Sequence, residues 1–351
     1  MGVTVYHADL HEARADPALA ALLARTAAST PFDRLEWLSL LAEHCLPGAA
    51  CKLAVARDGE ALAVLPFREG PDGAAPLGAW YSFFVRPLAS DAARAPELFA
   101  ALARSLAPAG AARLAPMPEA EALALAAAFR AAGWIGVAEP CDTNHLLELK
   151  DRSFAQYWAA RPGQLRETVR RKTARGKVSL RIETAFSPAD WDAYEAIYAR
   201  SWKPEEGTPA FLRAFAMAEA KAGALRMGIA EIDGQPVAAQ FWTVEGGTAW
   251  IHKLAHDEAM RAHSPGTLLT AALFAHVIDV DGVHTVDFGT GNDPYKRDWM
   301  EAQRPRYALQ FYRPAAVGHW PALARLAAKA ATRRILQQRS QPALVSPQAA
   351  G

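Results

Sequence analysis

The sequence predicts an α+β protein of two tandem units, each a mixed, mostly antiparallel twisted sheet flanked by helices, followed by a basic carboxyl-terminal helix. The first observation is a repeated hairpin. CKLAVARDGEALAVLPF and LRMGIAEIDGQPVAAQFW each read as apolar strand, turn, apolar strand, with the turns built on Asp58-Gly59 and Asp233-Gly234. An Asp-Gly pair readily takes the positive backbone angles of a tight hairpin. The second observation is that each hairpin leads into the same succession: an aromatic-rich strand (AWYSFF, then TAWIHKLAH), a helix, and a further strand (ARLAPM, then HTVDFG). Such a repeat has the form of an internal duplication. The third is size and composition, since 351 residues, 51% of them apolar and with a net charge of +1, suit two folded domains.

The first unit is expected over residues 1–150, closing with the strands of WIGVAEPCDTNHLLELK. Past a boundary near Lys150-Asp151, SFAQYWAARPGQLRETVRRKTARGKVSLRIE gives two helices and a strand. Gly176 stands where the second helix should stop, and Arg170, Arg171, Lys172 and Arg175 crowd its carboxyl end, where the helix dipole favours cations. Helices come next at about 188–201 and 208–222, ahead of the second hairpin, and RPRYALQFYR is the final strand of a second unit spanning 151–315. In the remainder, 316–351, Arg325, Lys329 and Arg333 recur beside Leu323, Leu326 and Ala330, the pattern of a basic amphipathic helix that lies on an anionic membrane or packs on the domain. SQPALVSPQAAG is a loose tail.

Several function classes are excluded. Near-neutral charge argues against a dedicated nucleic-acid binder. Cys45, Cys51 and Cys141 have no metal-type spacing and are odd in number, which suits free thiols in a reducing cytoplasm. MGVTVYHADLHEARAD has no apolar core, so no secretory signal is expected, and charges break the alanine-rich runs before membrane-spanning length. The expectation is a cytoplasmic protein, soluble or peripheral on the inner face of the membrane. There is no Gly-x-Ser-x-Gly elbow, Walker loop or His-Glu-x-x-His, and no cysteine in the second half to serve as nucleophile. His7, His11, His44, His145 and His319 are scattered without ligand spacing, so no metal is expected.

The best site is the helix start Ser264-Pro265-Gly266-Thr267. Serine is a favoured N-cap, proline fits the first helical position, and glycine admits a ligand close to the backbone. Free amides and the positive end of the dipole suit a pyrophosphate. HDEAMRAHSPGTLL (256–269) with DFGTGNDPYKRDW (287–299) after it resembles the GNAT superfamily of N-acyltransferases, and within it the bacterial tandem branch labelled CelD-like or Fem-like. The resemblance implies that Arg261, His263, Ser264, Gly266, Thr267 and Leu268 hold the pyrophosphate of an acyl-CoA co-substrate. The superfamily's glycine-rich signature is replaced here by Arg261-Ala-His-Ser-Pro-Gly. That departure leaves the donor open, because Fem enzymes use aminoacyl-tRNA on the same scaffold.

Four residues are candidates for the chemistry. Strand alternation would send Trp250, His252, Leu254 and His256 to one face and Lys253 to the other. His252, near neutral pKa, could deprotonate an amine acceptor, or simply pack between sheet and helix. Lys253 could balance phosphate charge or line a solvated face. Asp287 lies in a strand where a bare carboxylate would be costly, so it pairs with Lys253 or His252, or acts as a base. By the resemblance, Tyr295 would protonate the departing thiolate; packing is its other role. Lys296 and Arg297 could contact coenzyme phosphates. The basic helix at 164–175 is a solvated face, a dock for a polyanion such as tRNA, or a contact with anionic lipid. The first unit has no counterpart of Ser264-Pro265-Gly266 ahead of its helix and is expected to be a degenerate copy that shapes the acceptor cleft.

The function these readings favour is acyl transfer from acyl-CoA to a primary amine of a cell-envelope precursor, an amino sugar or a long-chain (sphingoid) amine. A Fem-like, aminoacyl-tRNA-dependent transferase on a peptidoglycan precursor is the first alternative. A non-catalytic binding protein in polysaccharide export is the second.

Overall fold

The computed structural model describes residues 2–339. The first half contributes strands β1 (Thr4–Asp9), β2 (Ala50–Asp58), β3 (Ala61–Gly70), β4 (Gly73–Pro76), β5 (Leu88–Ala89), β6 (Ala111–Pro118) and β7 (Ile135–Glu148). Its helices are α1 (Leu10–Ala15), α2 (Pro17–Leu22), α3 (Leu35–Leu40), α4 (Ala95–Ser105) and α5 (Glu119–Ala131). The second half has β8 (Ser179–Glu183), β9 (Leu225–Ile232), β10 (Gln235–Glu245), β11 (Thr248–His256), β12 (Thr285–Thr290) and β13 (Ala302–Tyr312). Around them lie α6 (Phe154–Ala159), α7 (Gly163–Ala174), α8 (Pro188–Ala199), α9 (Pro209–Lys221), α10 (Pro265–Asp279), α11 (Lys296–Trp299) and α12 (Trp320–Arg339).

All the strands form one sheet in the order β1-β2-β3-β4-β6-β13-β7-β12-β11-β10-β9-β8, with β5 beside β3. The Asp-Gly hairpins fall at β2–β3 and β9–β10, as expected, with Asp233 and both glycines at positive φ. The centre of the sheet is an exchange. β7 closes the first half in sequence yet pairs with β12 of the second, Leu146 opposite Asp287. β13 closes the second half yet pairs with β6 of the first, Tyr312 opposite Ala111. The two exchanged strands then pair with each other from Ile135↔Tyr312 to Leu146↔Ala302. Most ladders are antiparallel; the parallel pairs among the described residues, β4 with β6 and β11 with β12, occupy matching places in the two halves.

One expected strand is absent. AWYSFF folds as a turn in which Ser82 N–H donates to the Ala79 carbonyl at 2.9 Å, and the four-residue β4 takes the third-strand place. A strand would have sent alternate aromatics to opposite faces. Instead Tyr81, Phe83 and Phe84 all turn into one core, where they join Trp37, Trp191, Phe211, Phe241 and Trp250. That core draws on both halves. Charges reinforce it: Arg34 and Arg25 of the first half reach Glu219 of α9 at 2.5 and 2.8 Å, and Arg25 also meets Glu245 of β10 at 2.8 Å.

On the opposite face, α10 packs Leu269, Leu273, Phe274 and Val277 against the second half of the sheet. A side chain at Gly228 of β9 would come within 2.9 Å of Leu269 and Leu273, so glycine lets this helix sit close. α12 is tied to β7 by Lys329–Glu139 at 2.6 Å. The side chains of Arg333, Arg334 and Arg339 and the 340–351 tail lie outside the described residues. Among the described residues, no helix is long and apolar enough to cross a membrane.

Candidate active site

β11 and β12 pair in parallel from Thr248↔Thr285 to Trp250↔Asp287 and then part. Beyond that point β11 runs on to His256 and β12 to Thr290, so backbone groups of β11 face a gap instead of a partner strand. A bulge produces the divergence. Opposite β10, Phe241 pairs with Lys253 and Trp242 with Ile251, which leaves His252 as the extra residue. An extra residue bends its strand and interrupts the alternation of side chains.

The bulge corrects the expected facing of Lys253. Ile251 and Leu254 pack on the α10 side, whereas Trp250, His252 and Lys253 all serve the other face. His252 is ringed by Phe83, Phe215 and Phe241 at 5.5, 5.1 and 5.1 Å, and its Nε2 lies 2.8 Å from Thr243 Oγ1. Burial, then Lys253 and Arg34, push its pKa down to about 3. A neutral, aromatic-caged imidazole is a weak base at pH 7, because useful proton acceptors titrate near the working pH. Lys253 is neither solvated nor aimed at a phosphate. It is 8% exposed, sits over Tyr81 with its Nζ 4.8 Å from the ring centre, and pairs with Glu206 at 2.7 Å.

Asp287 also has a different partner from those expected. Its Oδ1 accepts from Asn144 Nδ2 and from Gly289 N–H, both at 2.7 Å. The cation beside it is Arg306 of β13, at 3.9 Å, and burial raises the carboxyl pKa. Lys296 is 4% exposed, and its ammonium donates to the carbonyls of Thr290 and Gly291. It therefore pins the loop after β12 and does not reach outward to phosphates. Tyr295 is 38% exposed, with its ring 5.7 Å from Phe288 at the end of β12, and its hydroxyl is held protonated by burial of its surroundings.

The gap ends at the amino terminus of α10. Ser264 occupies the cap position but in the left-handed region (φ 55°), and its side chain makes no cap hydrogen bond, contrary to expectation. No acidic residue stands in the first turn, and Pro265 buries at the start. The carbonyl of Gly266 accepts from Gln240 and Thr270, which fixes the turn from below. Thr267 and His263 are half-buried, Leu268 is buried, and Arg261 is exposed in the 3-10 turn Glu258–His263. Lys172 of the basic helix α7 donates to the Ala262 carbonyl, so that helix abuts the mouth. Unfilled amides and the lack of a first-turn carboxylate are features that suit an anion.

Sequence reasoning missed the loop at 200–208. Its Glu206 accepts from Lys253 Nζ and from Tyr81 O–H at 2.9 and 2.8 Å. Lys203 lies nearby, and burial, with Lys253, lowers its pKa to about 8. Next to it, the Trp202 ring lies tilted 4.8 Å from His256, whose own ring borders Gly266. A cavity of about 430 Å3 lined by Tyr194, Tyr198, Lys203, Glu206, Pro209 and Leu212 opens beside this cluster. Its apolar walls and few converging charges have the form of a small-molecule pocket. Among the described residues, no cluster of three or more histidine, cysteine or acidic side chains is arranged to hold a metal ion.

Residues 160–297 match the family model described as acetyltransferase (GNAT) domain. No curated protein matches the chain. Among solved structures, FemX superposes with a TM-score of 0.62 at 11% identity, over 90% of this chain and 99% of that one. L-PGS from Bacillus licheniformis gives 0.54 at 13% identity, over 85% and 96%. A tandem GNAT protein from the clavulanic acid biosynthesis pathway gives 0.50 at 15% identity, over 88% and 98%. At such identities the likeness is one of fold. Residues 160–297 thus resemble a GNAT acetyltransferase domain, and the α+β architecture with a large mixed sheet shares the fold of tandem GNAT proteins.

Proposed function

We propose that the protein is an N-acyltransferase that moves an acyl group from acyl-CoA to a primary amine of a cell-envelope precursor, an amino sugar or a long-chain amine. The observation that carries this reading is the gap between β11 and β12 ending at a helix mouth with no acid of its own. The pyrophosphate would rest on the amides around Gly266 and Thr267, with Arg261 and His263 at the rim. The thioester would then lie in the gap, where a main-chain N–H of β11 meets the oxyanion that develops as the amine attacks. The carbon–nitrogen bond forms and the carbon–sulfur bond breaks. Glu206 takes a proton from the ammonium nitrogen, directly or through water, and Tyr295, kept protonated, supplies one to the departing thiolate. His252 holds the bulge in shape, and Lys253 orients Glu206. Asp287 braces the strand through Asn144 and Arg306.

A second reading, transfer from aminoacyl-tRNA, is supported by α7, which carries exposed Arg171 and Arg175 and reaches the mouth through Lys172. One experiment separates the two: product formation from acyl-CoA thioesters of increasing chain length and from aminoacyl-tRNA, each against a panel of amino sugars, ethanolamine and sphingoid amines. Under the first reading thiol is released only with acyl-CoA. Glu206→Gln then lowers kcat about a hundredfold, within the range for a lost general base, and Tyr295→Phe about tenfold. Turnover with aminoacyl-tRNA alone, abolished by Arg171→Glu with Arg175→Glu, would establish the second. Thiol release untouched by Glu206→Gln would remove the proposed base.

A further inference from the structure

A second cavity lies where β11 and β12 are still paired, on the face that carries His252. It encloses about 600 Å3 and is walled by Phe84 and Arg86 of the first half, Trp250 and Asp287 of the second, and Arg304 and Arg306 of the exchanged strand β13. That volume suits a whole small molecule and not a lone ion.

Its wall sets three arginines, Arg86, Arg304 and Arg306, against three carboxylates, Glu119, Glu121 and Asp287, but these are unevenly paired. Arg86 is committed, giving Nε and Nη2 to Asp33 at 3.0 and 2.7 Å and Nη1 to Glu121 at 3.0 Å. Glu119, also on the wall, accepts from Tyr307 O–H at 2.8 Å. Asp287 has Oδ1 filled, and its Oδ2 lies 3.9 Å from Arg306 Nη2, too far for a hydrogen bond. Arg306 itself is only 4% exposed, its Cζ lies 5.1 Å from the centre of the Phe84 ring, and its Nε has no hydrogen-bond partner. A guanidinium keeps its proton in proteins and offers a rigid fork of donors. Leaving such a donor unfilled in a buried wall is costly. Arg304 adds a second cation at the exposed rim. A water molecule could accept an N–H but would add no charge to answer Arg306 beyond what Asp287 supplies at 3.9 Å.

We propose that this cavity binds a small molecule bearing a carboxylate or phosphate group, with the oxyanion on Arg306 and Arg304 and the apolar body against Trp250 and Phe84. The site does not depend on which donor occupies the α10 mouth. Calorimetric titration of the full chain with inorganic phosphate and, separately, with succinate, against matched sodium chloride, tests it. Saturable binding is expected for at least one; tighter phosphate identifies a phosphoryl ligand, tighter succinate a carboxylate. Arg306→Gln should weaken binding about tenfold or more, in keeping with a lost charge-assisted hydrogen bond. Arg304→Gln, at the rim and outside the core, should weaken it as well and covers the case in which the buried variant misfolds. Coenzyme A affinity, measured on Arg304→Gln, should stay at the wild-type value, which separates this cavity from the helix mouth. Flat titrations of the wild type, or an affinity that neither variant changes, would overturn the proposal.

Discussion

In the first half of the sheet, β4 spans only Gly73–Pro76 and meets its parallel partner β6 at a single register position, Ala74↔Ala112. In the second, β11 spans Thr248–His256 and keeps its parallel partner for three positions before the two part. The first pair is shut: a side chain at Gly73, whose φ is +106°, would come within 2.3 Å of the Ala111 carbonyl oxygen. The helices after these strands differ in the same sense. α4 carries Glu97 in its first turn, tied at 3.0 Å to Arg94, so its positive end is answered from within the chain. α10 has neither an acid in its first turn nor a side-chain cap. One plan therefore gives a closed, structural copy and an open one, and the difference comes down to strand length, one bulged residue and one carboxylate. The closed copy still contributes to the other's site, through Tyr81 on Glu206 and Phe83 over His252.

The largest expected effect tests whether the closed half braces the open one. Arg34→Met strips Glu219, which is fully buried, of its shortest partner. Loss of about 3 kcal/mol of unfolding free energy is expected, as for removing one member of a buried ion pair, and Glu219→Leu in the same chain should restore part of it. Denaturant titration reads the result; an unchanged midpoint would mean that the halves are not coupled through this network. Next comes Gly266→Asp, which gives α10 the carboxylate that α4 already has. A side chain there meets His256 at an ordinary 3.4 Å, so the fold should hold. Coenzyme A affinity should fall roughly 30-fold from the opposed dipole and charge. Equal affinity would show that the open mouth is not the binding element.

The smallest effect is in pH. Lys203, held at about 8, is charged below that value and loses its charge as pH rises through it. Coenzyme A binding should therefore weaken above pH 8, by roughly threefold for a partly screened contact. The slope should vanish in Lys203→Gln. A wild-type profile as flat as the variant's would place Lys203 outside the donor site.

Much of this contrast was legible in sequence because it is local. Asp-Gly turns, helix punctuation such as Gly176, and the Ser-Pro-Gly helix start depend on neighbours in the chain, and they fall where pattern puts them. What escaped was non-local. RPRYALQFYR is plainly a strand, but nothing in its alternation says that it pairs across the exchange with β6 and β7. The partner of Asp287 was missed for the same reason, since Arg306 reaches it only through that exchange. The bulge at His252 has no marker such as glycine, so the facing of Lys253 could not be read from period-two alternation. AWYSFF was misread because a dense aromatic run fits a strand and an inward-folded loop equally well. Glu206 sits in a polar loop with no periodicity, and its only sequence signal was the charged run Lys203-Pro-Glu-Glu206.

The proposed transfer requires the mouth of α10 to grip the diphosphate of an acyl carrier. Calorimetric titration of the full chain with coenzyme A and with pantetheine, which has the same thiol arm but no diphosphate, tests it most directly. Saturable binding of coenzyme A is expected, and none of pantetheine over the same range. Equal binding of the two, or none of either, would contradict it.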